Sequence, residues 1–425
     1  MAQRGIREYD GKRMLAKYWR EYISKDFTYP GKVVLVDPKT KIDDLPKKYK
    51  WLTEEKLVVK PDQLFGKRGK HGLIKANATF DEVKKWIKEH MNKETTVGKV
   101  TDKLTHFIIE PYVPHKEEFY VAIKSNRDGD TIYFSNHGGV DIESVWDTVA
   151  EIQVDIDQDI DKIDIESKLP KDTPQDKRKM FAEFIRGLFK FYRDLNYAYL
   201  EINPFVVVGK NIVPLDLVAR LDDTAHFESG SKWGDITFPA PFGRKLSKEE
   251  EYIKMMDEKS GASLKLTVLN PKGRVWTMVA GGGGSVIYTD TIVDLGYRDE
   301  LANYGEYSGN PSTDETYEYA KTILDLMTRE KDPKGRPKIL IIGGGIANFT
   351  DVAKTFTGII KALKEYKRKL KETNVKIYVR RGGPNYQEGL RKMRELGEEL
   401  GVPIEVYGPE THMTRIVSMA LKEGK

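Results

Sequence analysis

The chain has 425 residues, 71 lysines and arginines against 66 aspartates and glutamates, a formal net charge of +5, and no cysteine. That length exceeds one ordinary hydrophobic core, so two or three domains are expected, and the lack of cysteine excludes disulfides, thiolate nucleophiles and cysteine-bound zinc. The near-balanced charge is spread along the chain and argues against a nucleic-acid arm. No run of about 18 apolar residues is present to span a membrane, and the charged opening "MAQRGIREYDGKRMLAKYWR" lacks a signal-peptide core, so a soluble, cytoplasmic protein is expected.

In the first half, "KLVVKP", "HFIIEPYV", "EFYVAIKS" and "DTIYFSN" are rich in β-branched and aromatic residues and predict strands. Thr79 followed by Glu82 forms a capping box, with Phe80, Val83, Ile87 and Met91 as the apolar stripe of the helix it opens. A longer helix is predicted from Thr173-Pro174 to about Asp194, with proline at its first position. This half reads as α+β. Lys60 ends a predicted strand, and Lys67, Arg68, Gly69 and Lys70 follow in a loop. Basic side chains beside glycine amides suit phosphate, although a basic surface turn has the same composition. Glu110, Glu117 and Glu118 surround the next strand end, where carboxylates can accept from adenine or ribose.

The stretch "YLEINPFVVVGKNIVPLDL" predicts a hairpin turning at Gly209-Lys210, with Val208 opposite Asn211. Counting outward sets Asn203 opposite Asp216, and period-two alternation puts Glu201, Asn203 and Asp216 on one face. Oxygen donors so grouped suit Mg²⁺, which leaves coordination positions for phosphate; a solvated polar face is the alternative. Pro204 and Pro214 bracket the group and interrupt the ladder there.

The second half alternates strand and helix. "KILIIGG" precedes a helix from about Asn348 to Lys371, then come strand "VKIYVRRGG", helix "NYQEGLRKMRELGEEL", strand "PIEVYG" and helix "THMTRIVSMALKEG". This rhythm predicts a doubly wound parallel sheet, whose ligands bind outside the carboxyl ends of the strands. The loops there are Gly281–Gly284, Gly343–Thr350 and Arg380–Gly383. Gly343-x-Gly345 begins like a dinucleotide fingerprint, but position 348 is Asn and the next strand ends in Arg380-Arg381 rather than an acid. A small polyanion fits better than a dinucleotide. Asn348 and Thr350 are candidates both to cap the following helix and to donate to a carboxylate.

Lys60, the "GKRGK" loop, "EPYV", "GGVDIE" and "LEINP…LD" together resemble the ATP-grasp half of succinyl-CoA synthetase β chains. More specifically, "KWGDITFPAPFGR", "SGASLKLTVLNPKGRVWTMVAGGG", "ELANYGEYSG", "YAKTILDLMTRE" and "YVRRGGPNYQEGLR" resemble the ATP-citrate lyase family across essentially the whole chain. The resemblance implies an ATP-grasp domain in two subdomains over 1–242, a linker at 243–262, and a flavodoxin-like, CoA-ligase-type citrate-binding domain over 263–425. It implies ATP at Lys60, Arg68, Gly69, Pro111, Val113 and Glu118, Mg²⁺ at Asn203 and Asp216, and Glu201 as the catalytic carboxylate where the transferred phosphate arrives. Citrate is implied at Gly309, Asn348, Thr350, Tyr366 and Arg381. A partner subunit is implied to bind most of the coenzyme A and to carry the phosphohistidine and a citrate-synthase-like domain. Asn136-His137 before Gly138-Gly139 departs from the family pattern, which usually has an acid there. His71, His90, His106, His115, His137, His226 and His412 lie outside glycine-rich loops and read as ordinary side chains. The same motifs would also serve the large subunit of a citryl-CoA synthetase or a non-catalytic citrate and nucleotide regulator.

Overall fold

A computed structural model describes residues 3–98, 100–139 and 146–422, and its contacts divide the chain into two units, Met1–Lys245 and Leu246–Lys425. No helix among the described residues is long and apolar enough to cross a membrane.

The first unit rests on two sheets. The larger has the strand order Gln3–Ile6, Leu217–Asp222, Tyr197–Val208, Phe119–Ser125, Gly129–Ser135 and Ala150–Asp155, with Asn211–Pro214 also pairing Tyr197–Val208. Every neighbouring pair in it is antiparallel. Helix Arg178–Asp194 covers one face, burying Phe181, Phe184, Ile185, Leu188 and Tyr192 at helical spacing. Phe181 meets Phe119 at 4.8 Å and Phe205 at 5.8 Å between ring centres, and each ring so buried contributes about 1.5–3 kcal/mol. The helix starts later than Thr173-Pro174 predicts. The Pro174 carbonyl accepts from the amides of both Lys177 and Arg178, so that segment is a turn.

The smaller sheet is antiparallel, ordered Val34–Val36, Phe107–Pro111, Leu57–Pro61, Lys75–Ala78. Helix Phe80–His90 packs on it through Phe80, Val83 and Ile87, and the predicted Thr79/Glu82 capping box is formed.

In the second unit, strands Val275–Ala280, Lys338–Gly344, Val375–Arg380 and Ile404–Tyr407 form a parallel sheet in that order. Both faces are covered. Trp276, Met278, Leu340 and Ile342 point to helices Thr313–Thr328 and Val352–Glu365, whereas Val275, Val279, Ile339 and Ile341 face helices Gly282–Asp294 and Arg415–Lys422. Strand Asn303–Ser308 pairs antiparallel with Ser263–Val268 and also flanks Val275–Ala280. The Ala302 amide donates to the Val275 carbonyl, and the fully buried Asn303 side chain stands in for backbone pairing. It accepts from the Thr277 amide (2.8 Å) and donates to the Thr277 carbonyl (2.9 Å). Counting that strand, the order is 2-1-3-4-5, which is flavodoxin-like, with its switch point between Val275–Ala280 and Lys338–Gly344.

Within the stretch that reads as a linker, Lys248–Lys259 form a helix capped by Ser247 and Glu250. Its charges are used locally: Glu250 accepts from the Val268 amide and Asp257 from the Leu264 amide, which fastens the helix to strand Ser263–Val268. Two shorter helices, Val352–Glu365 and Lys367–Glu372, replace the single predicted one, because the backbone leaves helical geometry at Tyr366.

Candidate functional site

In the first unit the predicted hairpin register is present. Val208 pairs with Asn211, and the Asn203 amide donates to the Asp216 carbonyl at 3.1 Å. Asn203 Oδ1 accepts from the Gly139 amide at 2.7 Å. Glu201, half-buried on the same face, is held by the Tyr199 hydroxyl. Burial, and then the Glu201 charge, push the nearby Tyr120 phenol up. No group of three or more His, Asp or Glu that could hold a metal is found among the described residues. Asn203 Oδ1 and the Asp216 carboxylate are hard oxygens of the type Mg²⁺ takes alongside water and phosphate, and here Asn203 accepts from the Gly139 amide and Asp216 from Arg68. The "GGVDIE" motif runs into residues 140–145, outside the described residues.

Lys60 and Arg68 are both buried in a lattice of ion pairs. Helix Glu8–Tyr18 supplies Glu8 and Lys12 to it. Glu8 Oε1 accepts from Lys12 Nζ and Lys60 Nζ at 2.7 Å each, while Glu8 Oε2 lies 2.8 Å from Arg68 Nη2. Lys12 also reaches Glu110 at 2.6 Å, and Lys60 lies 3.6 Å from Glu110. Arg68 donates through Nη1 to the Pro61 carbonyl at 2.8 Å and through Nη2 to Asp216; its Nε has no partner. Burial alone would raise the Glu8 carboxyl, but Lys12, Lys60 and Arg68 outweigh it and hold Glu8 well below the usual carboxylate range. Asp62, buried behind them, takes the amides of Glu8 and Tyr9 at the helix start (2.8 and 3.0 Å) and is pushed up to about 7 by burial and then by Glu8.

Pro111 ends strand Phe107–Pro111, and beyond it His115 sits between the Val113 carbonyl (2.7 Å) and Glu118 (3.0 Å). Gly139 presses on Glu118: a Cβ there would lie 2.4 Å from Oε2. A cleft of about 420 Å³ is lined by Glu118, Asn136, His137, Gly138 and Asp172. His137 is exposed and 3.8 Å from Asp172. Gly69 follows Arg68 in the turn that closes back on the Leu73 amide.

In the second unit, the loops after Val275–Ala280 and Lys338–Gly344 meet at the switch point. Gly281 has φ +99° and a Cβ on it would lie 2.9 Å from Asn348 Nδ2, so the approach requires glycine. Asn348 does not cap the next helix; Asp351 does. Asn348 instead donates to the Ala280 carbonyl (3.1 Å) and accepts from the Thr350 amide (2.9 Å), tying the two loops.

The two arginines differ. Arg380 spends its nitrogens on the carbonyls of Thr411, Gly344 and Pro409 and serves as a clamp. Arg381 is 0% exposed, yet only Nη1 has a partner, the Gly345 carbonyl at 3.2 Å; Nε and Nη2 have none. The hydroxyls of Thr350 and Tyr307 are likewise buried and unpartnered, and that of Tyr288 has only the Gly344 backbone beside it. Tyr288 lies against Gly343, and Arg381 against Gly344. Burial pushes the Arg381 guanidinium down and the Tyr288 phenol up to about 12. A buried cation with two unpartnered nitrogens, in a loop region that also holds unpartnered buried hydroxyls, is costly without a ligand and suits an incoming carboxylate.

Gly309, with φ +71°, ends strand Asn303–Ser308 on the side where Gly282 meets Glu306. Tyr366 is not gathered with these residues. It follows the 14-residue helix Val352–Glu365, about 21 Å along the axis from the loop, beside Asp325 and Lys369. Sequence reasoning misses Glu8, Lys12, Tyr288 and Tyr307; none stands in a glycine-rich or basic loop.

A family model described as ATP-citrate synthase ATP-grasp domain matches residues 2–233, and one described as ATP citrate lyase citrate-binding matches residues 244–423. ATP-citrate synthase of Bos taurus is 55% identical over 99% of this chain, which spans 38% of that relative's length. ATP-citrate synthase alpha chain protein 2 of Arabidopsis thaliana is 50% identical over 99% of both chains. A solved ATP citrate lyase from Methanothrix soehngenii, in complex with citrate and coenzyme A, superposes with a TM-score of 0.87 at 57% identity, covering 99% of this chain and 100% of that one.

Proposed function

The chain belongs to the ATP-citrate lyase family, and from that premise we propose that it is the subunit that binds Mg-ATP and citrate and activates citrate for cleavage. The observation that carries this reading is Arg381, a fully buried cation with two unpartnered nitrogens at the switch point of a parallel sheet. Citrate satisfies it: one carboxylate takes the guanidinium, and the others reach the Thr350 hydroxyl, Asn348 and the backbone near Gly309. Tyr366 stays outside this set because of its place at the far helix end.

In the first domain, assigned to 1–242, Lys60 and Arg68 bind the phosphates, with Gly69 in their turn. Pro111, Val113 and Glu118 take the adenosine end. Mg²⁺ held by Asn203 and Asp216 would neutralise phosphate charge. Glu201, fixed by Tyr199, stands where the γ-phosphoryl leaves for a histidine of the partner subunit. The phosphoryl group next joins a citrate carboxylate in the second domain, assigned to 263–425 beyond a connection at 243–262. Coenzyme A, held mainly by the partner, displaces phosphate through its thiol. The citryl thioester then splits into acetyl-CoA and oxaloacetate. The relatives support this division of labour: the Arabidopsis chains match end to end, whereas the animal proteins are much longer.

The test is reconstitution with the partner subunit, citrate, ATP and coenzyme A, with oxaloacetate read through malate dehydrogenase. Stoichiometric oxaloacetate and ADP are expected. Citryl-CoA that accumulates without oxaloacetate would reassign the chain to a synthetase, and no turnover with tight citrate binding would make it a regulator.

A further inference from the structure

Arg68 and Asp216, one proposed for phosphate and the other for the cation, are bound to each other. Arg68 Nη2 hydrogen-bonds Asp216 and lies 2.8 Å from Glu8 Oε2 as an ion pair without hydrogen-bond geometry, and its Nε is buried without a partner. Behind it the ion pairs match, Glu8, Glu110 and Asp216 against Lys12, Lys60 and Arg68, while burial and Glu8 push the further carboxyl, Asp62, up to about 7. The Asp216 side chain is 35% exposed and Arg68 only 6%, so the pair is open on the aspartate side alone.

A site so balanced has little appetite for a lone ion. Metal-free nucleotide would have to pull Arg68 from Asp216 and leave a bare carboxylate facing phosphate. A lone divalent cation would have to strip Arg68 from Asp216 and leave a buried guanidinium half-paired. Only when cation and polyphosphate arrive together does each side of the broken pair gain a partner of the right sign.

We propose that the Arg68–Asp216 contact makes this site selective for the metal–nucleotide complex over either component alone. Asp216 gives up Arg68 for the cation as Arg68 turns its freed Nη2 and its unpartnered Nε to a phosphate oxygen. Glu8 is the positioning residue: it keeps its hold on Arg68, Lys60 and Lys12 through the exchange, so the guanidinium is redirected rather than released. This rests on the nucleotide reading of the first domain.

The test is calorimetric titration of the intact chain with ATP in EDTA, with Mg-ATP and with Mn²⁺ alone. Wild type should bind Mg-ATP well and the two components poorly. Asp216→Asn, which frees Arg68, should bind metal-free ATP about five- to tenfold more tightly than wild type, the size of one half-buried ion pair, while losing affinity for Mg-ATP. Arg68→Gln should tighten Mn²⁺ binding by a similar factor. Neither gain follows from a merely structural role. If wild type binds Mg-ATP and both variants bind the lone components no better than it does, the exchange is refuted. If wild type binds neither Mg-ATP nor ATP, the nucleotide reading itself falls.

Discussion

Arg381→Met should separate what this residue costs the empty protein from what it gives the ligand. In the empty pocket the guanidinium is 0% exposed, with one hydrogen bond through Nη1 and none at Nε or Nη2. A buried donor without a partner costs about 1–3 kcal/mol, while the single bond present contributes roughly 1 kcal/mol. Methionine keeps an unbranched stem and removes both orphans, so the unliganded variant should gain about 1 kcal/mol or more. For a unit of this size that raises Tm by about 2–4 °C. Citrate should respond in the opposite sense. Two charge-assisted hydrogen bonds, at about 1.5 kcal/mol each as a lower figure, sum to about 3 kcal/mol, or a Kd raised ~150-fold. Arg381→Lys should fall between, because an ammonium keeps the charge and loses the two-pronged geometry. Thermal denaturation without ligand and calorimetric titration with citrate read the two effects. A variant that is less stable when empty, or that binds citrate within threefold of wild type, would rule out this role for Arg381.

Gly343→Ala should lower Tm by several degrees, since its Cβ would lie 2.4 Å from Tyr288 Cζ and overpacking costs about 1–3 kcal/mol. Gly345→Ala, with no heavy atom within 4 Å of its Cβ, should be near neutral in the same melt. Asn303→Leu should cost about 2–6 kcal/mol in denaturant unfolding, because it strands both the amide and the carbonyl of buried Thr277. His106 is depressed from 6.5 to about 4 by burial and then by Arg7. The unfolded chain therefore binds a proton there that the folded chain refuses, and stability should fall as pH drops from 6.5 towards 4. His106→Gln should flatten that part of the stability profile.

Features set by local chemistry were legible in the sequence. The Gly209-Lys210 turn fixed the hairpin register and so the shared face of Glu201, Asn203 and Asp216. The alternation of strand and helix gave the parallel sheet, and the glycine loops marked its ligand-facing end. Features set by long-range contact were not. Glu8 and Lys12 stand four apart on a helix and look like a solvated pair; burial against Lys60, Arg68 and Glu110 comes only from distant chain segments. Residue type and position alone do not separate Arg380 from Arg381, which only the family resemblance singles out, and the carbonyls around Arg380 show why it is already engaged. Tyr366 shared a predicted helix with Asn348 and Thr350, but a helix keeps its two ends apart. Within the stretch 243–262 that reads as a connector, the charges of 248–259 cap a helix and fasten it to strand Ser263–Val268, contacts that charge alone does not reveal.

Nucleotide and tricarboxylate are proposed to occupy different domains of this one chain. Titrating citrate and Mg-ATP separately into wild type, Lys60→Met and Arg381→Met tests it directly. Lys60→Met should lose Mg-ATP and keep citrate, while Arg381→Met should lose citrate and keep Mg-ATP. Loss of nucleotide with Arg381→Met while citrate still binds would contradict it.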